Sequence, residues 1–155
     1  MENDFTVESS IVIHAPVSKI WDLLINPKKI KMYLYGSDVI TDWNTGSEIL
    51  FTRDRLHSKA PLAEKPIVDR GKVLKIEKEK LLKFSFYSSM EGYPDLPENY
   101  SIVSYTINKL DVNSFRLDYV RNNIPIEIEK NNQDKFMPRM MKQIKVLAEG
   151  YTPTR

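Results

Sequence analysis

Cysteine is absent from the 155 residues. That excludes a disulfide framework, a thiolate nucleophile, an iron–sulfur cluster and any zinc site built on cysteine. Glycine is scarce at 5 and proline numbers 9, too sparse for a Gly/Pro-rich linker, and no glycine-rich phosphate loop is present. Neither charge sign dominates: 23 basic residues against 21 acidic leave a net +2. So even a balance gives no electrostatic footprint for nucleic acid, and none is expected as a partner. The only histidines, His14 and His57, have no metal-ligand spacing and are read as structural or exposed. No serine sits in a Gly-x-Ser-x-Gly setting, so a nucleophilic or metal-dependent enzyme is not expected. Long apolar runs are also missing. Residues 11–13 and 146–148 fall far short of the ~20 a membrane helix needs. The opening Met1-Glu2-Asn3-Asp4 is acidic where a secretory signal is basic. A cytoplasmic protein without membrane insertion is expected.

What is present is the material of a core. Hydrophobic residues make up 41% and aromatics 10%, which argues against disorder. A length of 155 suits one domain spanning residues 1–155. Residues 5–14 are rich in β-branched side chains and alternate at Val7, Ser9, Ile11 and Ile13, predicting a strand that Ala15-Pro16 ends. Pro16 and Val17 open a helix carrying Ile20, Trp21, Leu23 and Leu24 on its apolar side. Asn26-Pro27 breaks it, and residues 28–34 resume as a second short helix with Ile30, Tyr33 and Leu34 inward.

From Val39 the period changes to two. Residues 39–43 and 47–53, joined by Asn44-Thr45-Gly46, read as one hairpin. Residues 71–77 and 81–87 read as a second, and 100–110 with 114–122 as a third. In the second, Leu82, Phe84 and Phe86 point one way and Lys83, Ser85 and Tyr87 the other, the mark of an antiparallel sheet with one covered face. Helical spacing returns at the end: Met137, Met140, Met141, Ile144, Leu147, Ala148 and Tyr151 share a stripe opposite Lys142, Lys145 and Glu149. The preferred start of this helix is an N-cap at Asp134, which leaves Pro138 near its beginning. The competing reading starts it at Ile126 after Pro125 and lets Pro138 kink it. The order is then strand, two short helices, six strands and one long helix. The fold class is α+β, a helix-grip fold with a curved antiparallel sheet around the C-terminal helix. A sheet wrapped round a helix tends to leave a pocket between them.

Specific residues carry a resemblance. The run Val68-Asp69-Arg70-Gly71-Lys72-Val73-Leu74-Lys75-Ile76, continuing to Leu81-Leu82-Lys83-Phe84-Ser85-Phe86, resembles a "G-x-V … L-x-F-x-W" hairpin. The opening from Ile11 through His14-Ala15-Pro16 to Ile20-Trp21 is similar to an "I-x-A-P-x-x-x-V-W" start. Asn26-Pro27-Lys28-Lys29-Ile30 is similar to "D-P-x-x-I/L". These belong to the homologues of the activator of the heat-shock-protein-90 ATPase, within the START-like (SRPBCC) superfamily, whose fold is that of the birch-pollen allergen. The resemblance covers nearly the whole chain. It departs at Lys135-Phe136, where the family usually has Gly-Trp, at Gly46-Ser47 in place of Gly-Gly, and in residues 55–66, which are longer than the usual connection.

Among candidate site residues, Phe136, Met137, Met140, Met141 and Ile144 form a flexible apolar stripe. Methionines in such a stripe either fill a core or line a surface that takes varied apolar ligands. Trp43, Phe51, Phe84, Phe86, Tyr105 and Tyr119 are their aromatic counterparts on the strands. Arg53 shares parity with Ile49 and Phe51, while Arg116 falls opposite Phe115, Leu117 and Tyr119. An inward arginine would fix a ligand carboxylate; the alternative is a rim arginine paired with Asp54 or Asp118. The lysines at 28, 29 and 31, and at 72, 75, 78, 80 and 83, read as a solvated face.

The leading expectation is a small-molecule-binding protein holding an apolar or amphipathic ligand between sheet and helix, without a cofactor or metal, as a monomer or weak dimer. The resemblance implies a second reading, a co-chaperone contacting a heat-shock ATPase. The family's eukaryotic activators use a further N-terminal domain for stimulation, so the 155 residues alone are expected not to stimulate. A third reading is a cyclase-like enzyme of the same superfamily. It needs an inward acid–base pair, and the residue pattern places none.

Overall fold

The computed structural model describes residues 5–34, 37–53 and 67–150, without the side chains at 53, 67 and 68. Seven strands form one antiparallel sheet: β1 (Phe5–Ile13), β2 (Asp38–Ile40), β3 (Glu48–Arg53), β4 (Ile67–Glu77), β5 (Leu81–Phe86), β6 (Ser101–Asp111) and β7 (Ser114–Ile124). Their order across the sheet is β1-β7-β6-β5-β4-β3-β2. Two short helices, α1 (Val17–Ile25) and α2 (Pro27–Tyr33), connect β1 to β2, and the long α3 (Glu127–Ala148) closes the chain. This is the curved, open helix-grip arrangement.

Local chemistry explains the boundaries. Pro16 stands at the N-cap of α1, where its missing N–H costs nothing. Asn26 ends α1 and caps α2: its Oδ1 accepts from the Lys28 N–H at 3.0 Å, and Pro27 follows at the first helical position. The Tyr33 hydroxyl donates to the Leu23 carbonyl at 2.6 Å and ties the two helices together. Along β5, Leu82 and Phe84 are buried as alternation predicts. In β6, alternate residues from Ser101 to Ile107 are buried.

Two expectations change. The first hairpin is shorter: β2 ends at Ile40, and Trp43 adopts φ 64° in the turn rather than a strand conformation. The long helix begins at Glu127, not after Asp134. Asp134 is an interior residue whose carboxylate accepts from the Lys130 ammonium one turn earlier, at 2.6 Å. Pro138 lies inside the helix, where it lacks the N–H that would bond the Asp134 carbonyl. The helix continues through this break because its first turns are anchored: Glu127 and Glu129 suit the positive end of the helix dipole, and Glu129 is held in a buried ion pair.

The core lies between the inner sheet face and the helices. Leu117, Ile124, Met141 and Ile144 are among its fully buried members. The far end of α3 is fastened to the first strand. Lys145 donates to the Val12 carbonyl at 2.7 Å and pairs with Glu149, whose carboxylate also accepts the His14 N–H at 2.9 Å. The His14 Nδ1 lies 2.9 Å from the Ser114 hydroxyl. His57, Tyr151 and residues 55–66 lie outside the described residues.

Candidate ligand-binding site

Between α3 and the inner face of β3 to β7 lies a cavity of about 500 Å³. Its walls are apolar: Phe51 from β3, Phe84 and Phe86 from β5, Tyr105 from β6, Tyr119 from β7, and Phe136, Met137 and Met140 from α3. Rings brace one another around it. Phe51 meets Phe86 edge-on at 5.3 Å, and Tyr105 meets Tyr119 edge-on at 5.2 Å.

Not every residue singled out from the sequence reaches this space. Met141 and Ile144 are 1% and 0% exposed and belong to the packed core beyond the cavity. Trp43 packs against the core edge without lining the cavity. Arg116 points to the outer face, where its Nε donates to the Asp118 carboxylate at 2.9 Å; this is the rim pairing, not the inward one. The Arg53 side chain lies outside the described residues.

Among the described residues the buried, inward arginine is Arg121, which the sequence reading passed over. It stands two residues beyond Tyr119 on the same side of β7, and alternation alone points it inward. It is 3% exposed. Its Nε donates to the Ser101 hydroxyl at 2.7 Å, its Nη2 pairs with Glu129 in a very short contact, and its guanidinium stacks 4.9 Å from the centre of the Phe86 ring. Glu129 is 2% exposed and its second oxygen accepts from the Tyr93 hydroxyl at 2.7 Å. Ion pairs this deep hold only when both charges find further hydrogen bonds, and here both do. Glu129 escaped notice for a plain reason: with α3 started at Asp134 it fell in a connection, whereas on the true helix it shares a stripe with Gln133, Phe136 and Met140.

This end of the cavity is polar throughout. Asp69, 5% exposed, accepts from the Ser89 N–H at 2.9 Å and its hydroxyl at 3.0 Å. Glu91 also lines the cavity. Burial, then Glu129, push its carboxyl above the ordinary range, with Arg121 opposing and Asp69 adding to the rise. Deeper in, burial pushes the Tyr119 phenol up to about 12 and that of Tyr105 well above its ordinary value. The site is an apolar chamber with one charged, hydrogen-bonded end. Among the described residues, no cluster of three or more metal-ligating side chains occurs.

A second hollow, about 880 Å³, opens on the outer face of the sheet among Arg70, Lys72, Ser85, Asp95 and Tyr100. It is open, and Leu74, Pro97 and Ile102 share its lining with the polar groups. Among the described residues, no helix is long and apolar enough to cross a membrane.

Comparison with known proteins places this architecture. A protein of known solution structure from Cytophaga hutchinsonii is 30% identical, with 97% of each chain covered and a TM-score of 0.76. The Aha1 dimer from Colwellia psychrerythraea superposes with a TM-score of 0.68 at 16% identity, over 93% of this chain and 96% of that one. An HSP90 activator from Plasmodium falciparum does so with a TM-score of 0.66 at 13% identity, over 90% and 96%. No curated protein matches the sequence. The family model described as "Activator of Hsp90 ATPase homolog 1-like protein" matches residues 14–149, and the chain belongs to that family.

Proposed function

We propose that this chain binds an apolar or amphipathic small molecule in the chamber between sheet and α3. One observation carries the reading: a cavity of about 500 Å³ with aromatic and methionine walls and a single polar end. Protein interiors pack at a density of ~0.74–0.76, so an open space of this size costs stability. Specific ligand sites are typically ~300–1,000 Å³, mostly apolar, with a few placed polar groups. The methionines Met137 and Met140 supply a wall that re-forms around different shapes.

Met140→Trp tests it. In an open chamber the indole fills space, so binding of a neutral apolar dye is lost while the melting temperature barely changes. In a solid core the same change overpacks, at about 1–3 kcal/mol. A large drop in melting temperature, with no dye binding in the wild type, sinks the proposal. Native mass spectrometry of protein purified from its own source, looking for a retained small molecule, provides the complementary test.

Family membership favours a second reading, contact with an Hsp90-type ATPase. The two are separated by measuring chaperone turnover with and without stoichiometric protein. The binding reading expects no change; a several-fold, salt-insensitive rise carries the co-chaperone reading.

A further inference from the structure

The inner face of β6 and β7 carries a short row of donors that no described residue receives. Arg121 and Tyr119 hold successive inward positions of β7, and Tyr105 is the cross-strand partner of Tyr119. Arg121 spends Nε on Ser101 and Nη2 on Glu129, which leaves Nη1 without a hydrogen bond among the described residues. The hydroxyls of Tyr105 and Tyr119, residues 8% and 4% exposed, are in the same condition. Yet no buried side-chain nitrogen or oxygen among the described residues is both sealed off and unpaired. The two facts meet in one way: all three groups open onto the chamber that their residues line. Burial first of all keeps both phenols protonated at neutral pH. The charges of Arg121 and Glu129 also reach the Tyr119 phenol, which places it beside that ion pair.

A guanidinium only donates, so whatever meets Nη1 brings an acceptor. A purely apolar occupant would desolvate the whole row and leave it unpaired, which is costly. An ammonium head would set a second cation beside Arg121 and could not serve Nη1. We infer that the ligand's polar group is a carbonyl-type oxygen, that of a ketone, ester, amide or acid. It is seated on Arg121 Nη1 and the Tyr119 hydroxyl, with the apolar remainder along Phe84, Met137 and Met140. The row fixes the oxygen and not its charge: a neutral carbonyl and a carboxylate present the same kind of lone pair to it. Tyr105 extends the row along the wall and offers a further donor to a second oxygen.

This inference rests on the small-molecule reading above, and its test separates the two. The neutral dye N-phenyl-1-naphthylamine is bound to the purified full chain and displaced by butylbenzene, butyrophenone, hydrocinnamate or phenethylamine at neutral pH. Butyrophenone differs from butylbenzene only by a carbonyl in place of a methylene. Leaving water favours the hydrocarbon, because a carbonyl surrenders hydrogen bonds to water, so an unserved carbonyl loses this comparison. Butyrophenone or hydrocinnamate is expected to displace the dye at a concentration several-fold below butylbenzene, the stronger of the two naming the source of the oxygen. If butylbenzene or phenethylamine matches or outdoes both, the inference is overturned and the chamber stands. Failure of the dye to bind overturns both. Tyr119→Phe removes only the hydroxyl, which has no partner among the described residues to lose. It is expected to leave the melting temperature unchanged and to narrow the advantage of the oxygen compound over butylbenzene several-fold; an unchanged advantage overturns the seat at Tyr119. Nitrogen NMR of the Arg121 side chain is expected to show its Nη signals shifting with the oxygen compound and not with butylbenzene. Signals that move alike with both, or not at all, rule out the proposed hydrogen bond.

Discussion

Gly71 shows how one missing side chain shapes the sheet. A Cβ built on it would stand 1.6 Å from the Ser85 carbonyl oxygen, a backbone atom with no freedom to move aside. The close approach is fixed on either side: Arg70 and Tyr87 exchange backbone hydrogen bonds at 3.2 and 2.7 Å, and the Lys72 N–H donates to the Ser85 hydroxyl at 3.0 Å. The glycine of the family-like "G-x-V" segment is therefore a steric requirement of the crossing between β4 and β5. Gly71→Ala is expected to cost about 3 kcal/mol, at the upper end of ordinary overpacking, read by urea denaturation. Arg121 makes the opposite case, where removal does the harm. Arg121→Met leaves the buried Glu129 carboxylate without its counter-charge and is expected to cost about 3–5 kcal/mol. Arg121→Met combined with Glu129→Met removes both charges together and is expected to recover most of that loss. A double variant as unstable as the single one would mean that packing, rather than the stranded charge, sets the cost.

Among the elements, α3 carries the most tension. Pro138 sits on its exposed side with eleven residues before it and ten after, by its bounds of Glu127 and Ala148. Interior proline disfavours a helix by ~3 kcal/mol relative to alanine. Since the helix persists, its two halves are held by what they bury: Glu129 on one side of the break, Met141 and Ile144 on the other. Pro138→Ala is expected to raise stability by about 1–3 kcal/mol and to leave dye binding in place, because the side chain faces away from the chamber. A neutral or destabilising result would show that a proline bend positions the first half of the helix over the sheet. The same residue explains what was hidden in the sequence. The strands were legible because period-two alternation at Leu82, Phe84 and Phe86 has a single physical meaning. The start of α3 was not, since a proline and an aspartate near each other look like a helix beginning, and only the tertiary anchor at Glu129 overrides that local signal.

Across the whole molecule, the apolar wall of the chamber could be read in advance and its polar end could not. Phe51, Phe84, Phe86, Tyr105, Tyr119, Phe136, Met137 and Met140 each announce themselves by periodicity within one element. Arg121, Glu129, Glu91 and Asp69 come together from the end of β7, the start of α3, a connection and the start of β4, three strands away. No spacing rule spans such a set; only the closure of the fold brings them to one place.

That closure also orders events in time. β1 pairs only with β7, residue Ile13 facing Phe115 and Val7 facing Arg121, at the edge of the sheet. During synthesis the first strand must wait, edge uncovered, until more than a hundred further residues have been made. The helices α1 and α2 and the hairpins between can form from neighbours, but joining the two ends of the chain means closing its largest loop, the step that makes such topologies slow. Refolding is expected in the range of about milliseconds to seconds, typical of non-local β architectures. In stopped-flow experiments Ile11→Ala in β1 is expected to accelerate unfolding while leaving the folding rate nearly unchanged, as for a strand that docks after the barrier. A variant that slows folding instead would place the meeting of first strand and seventh at the barrier itself.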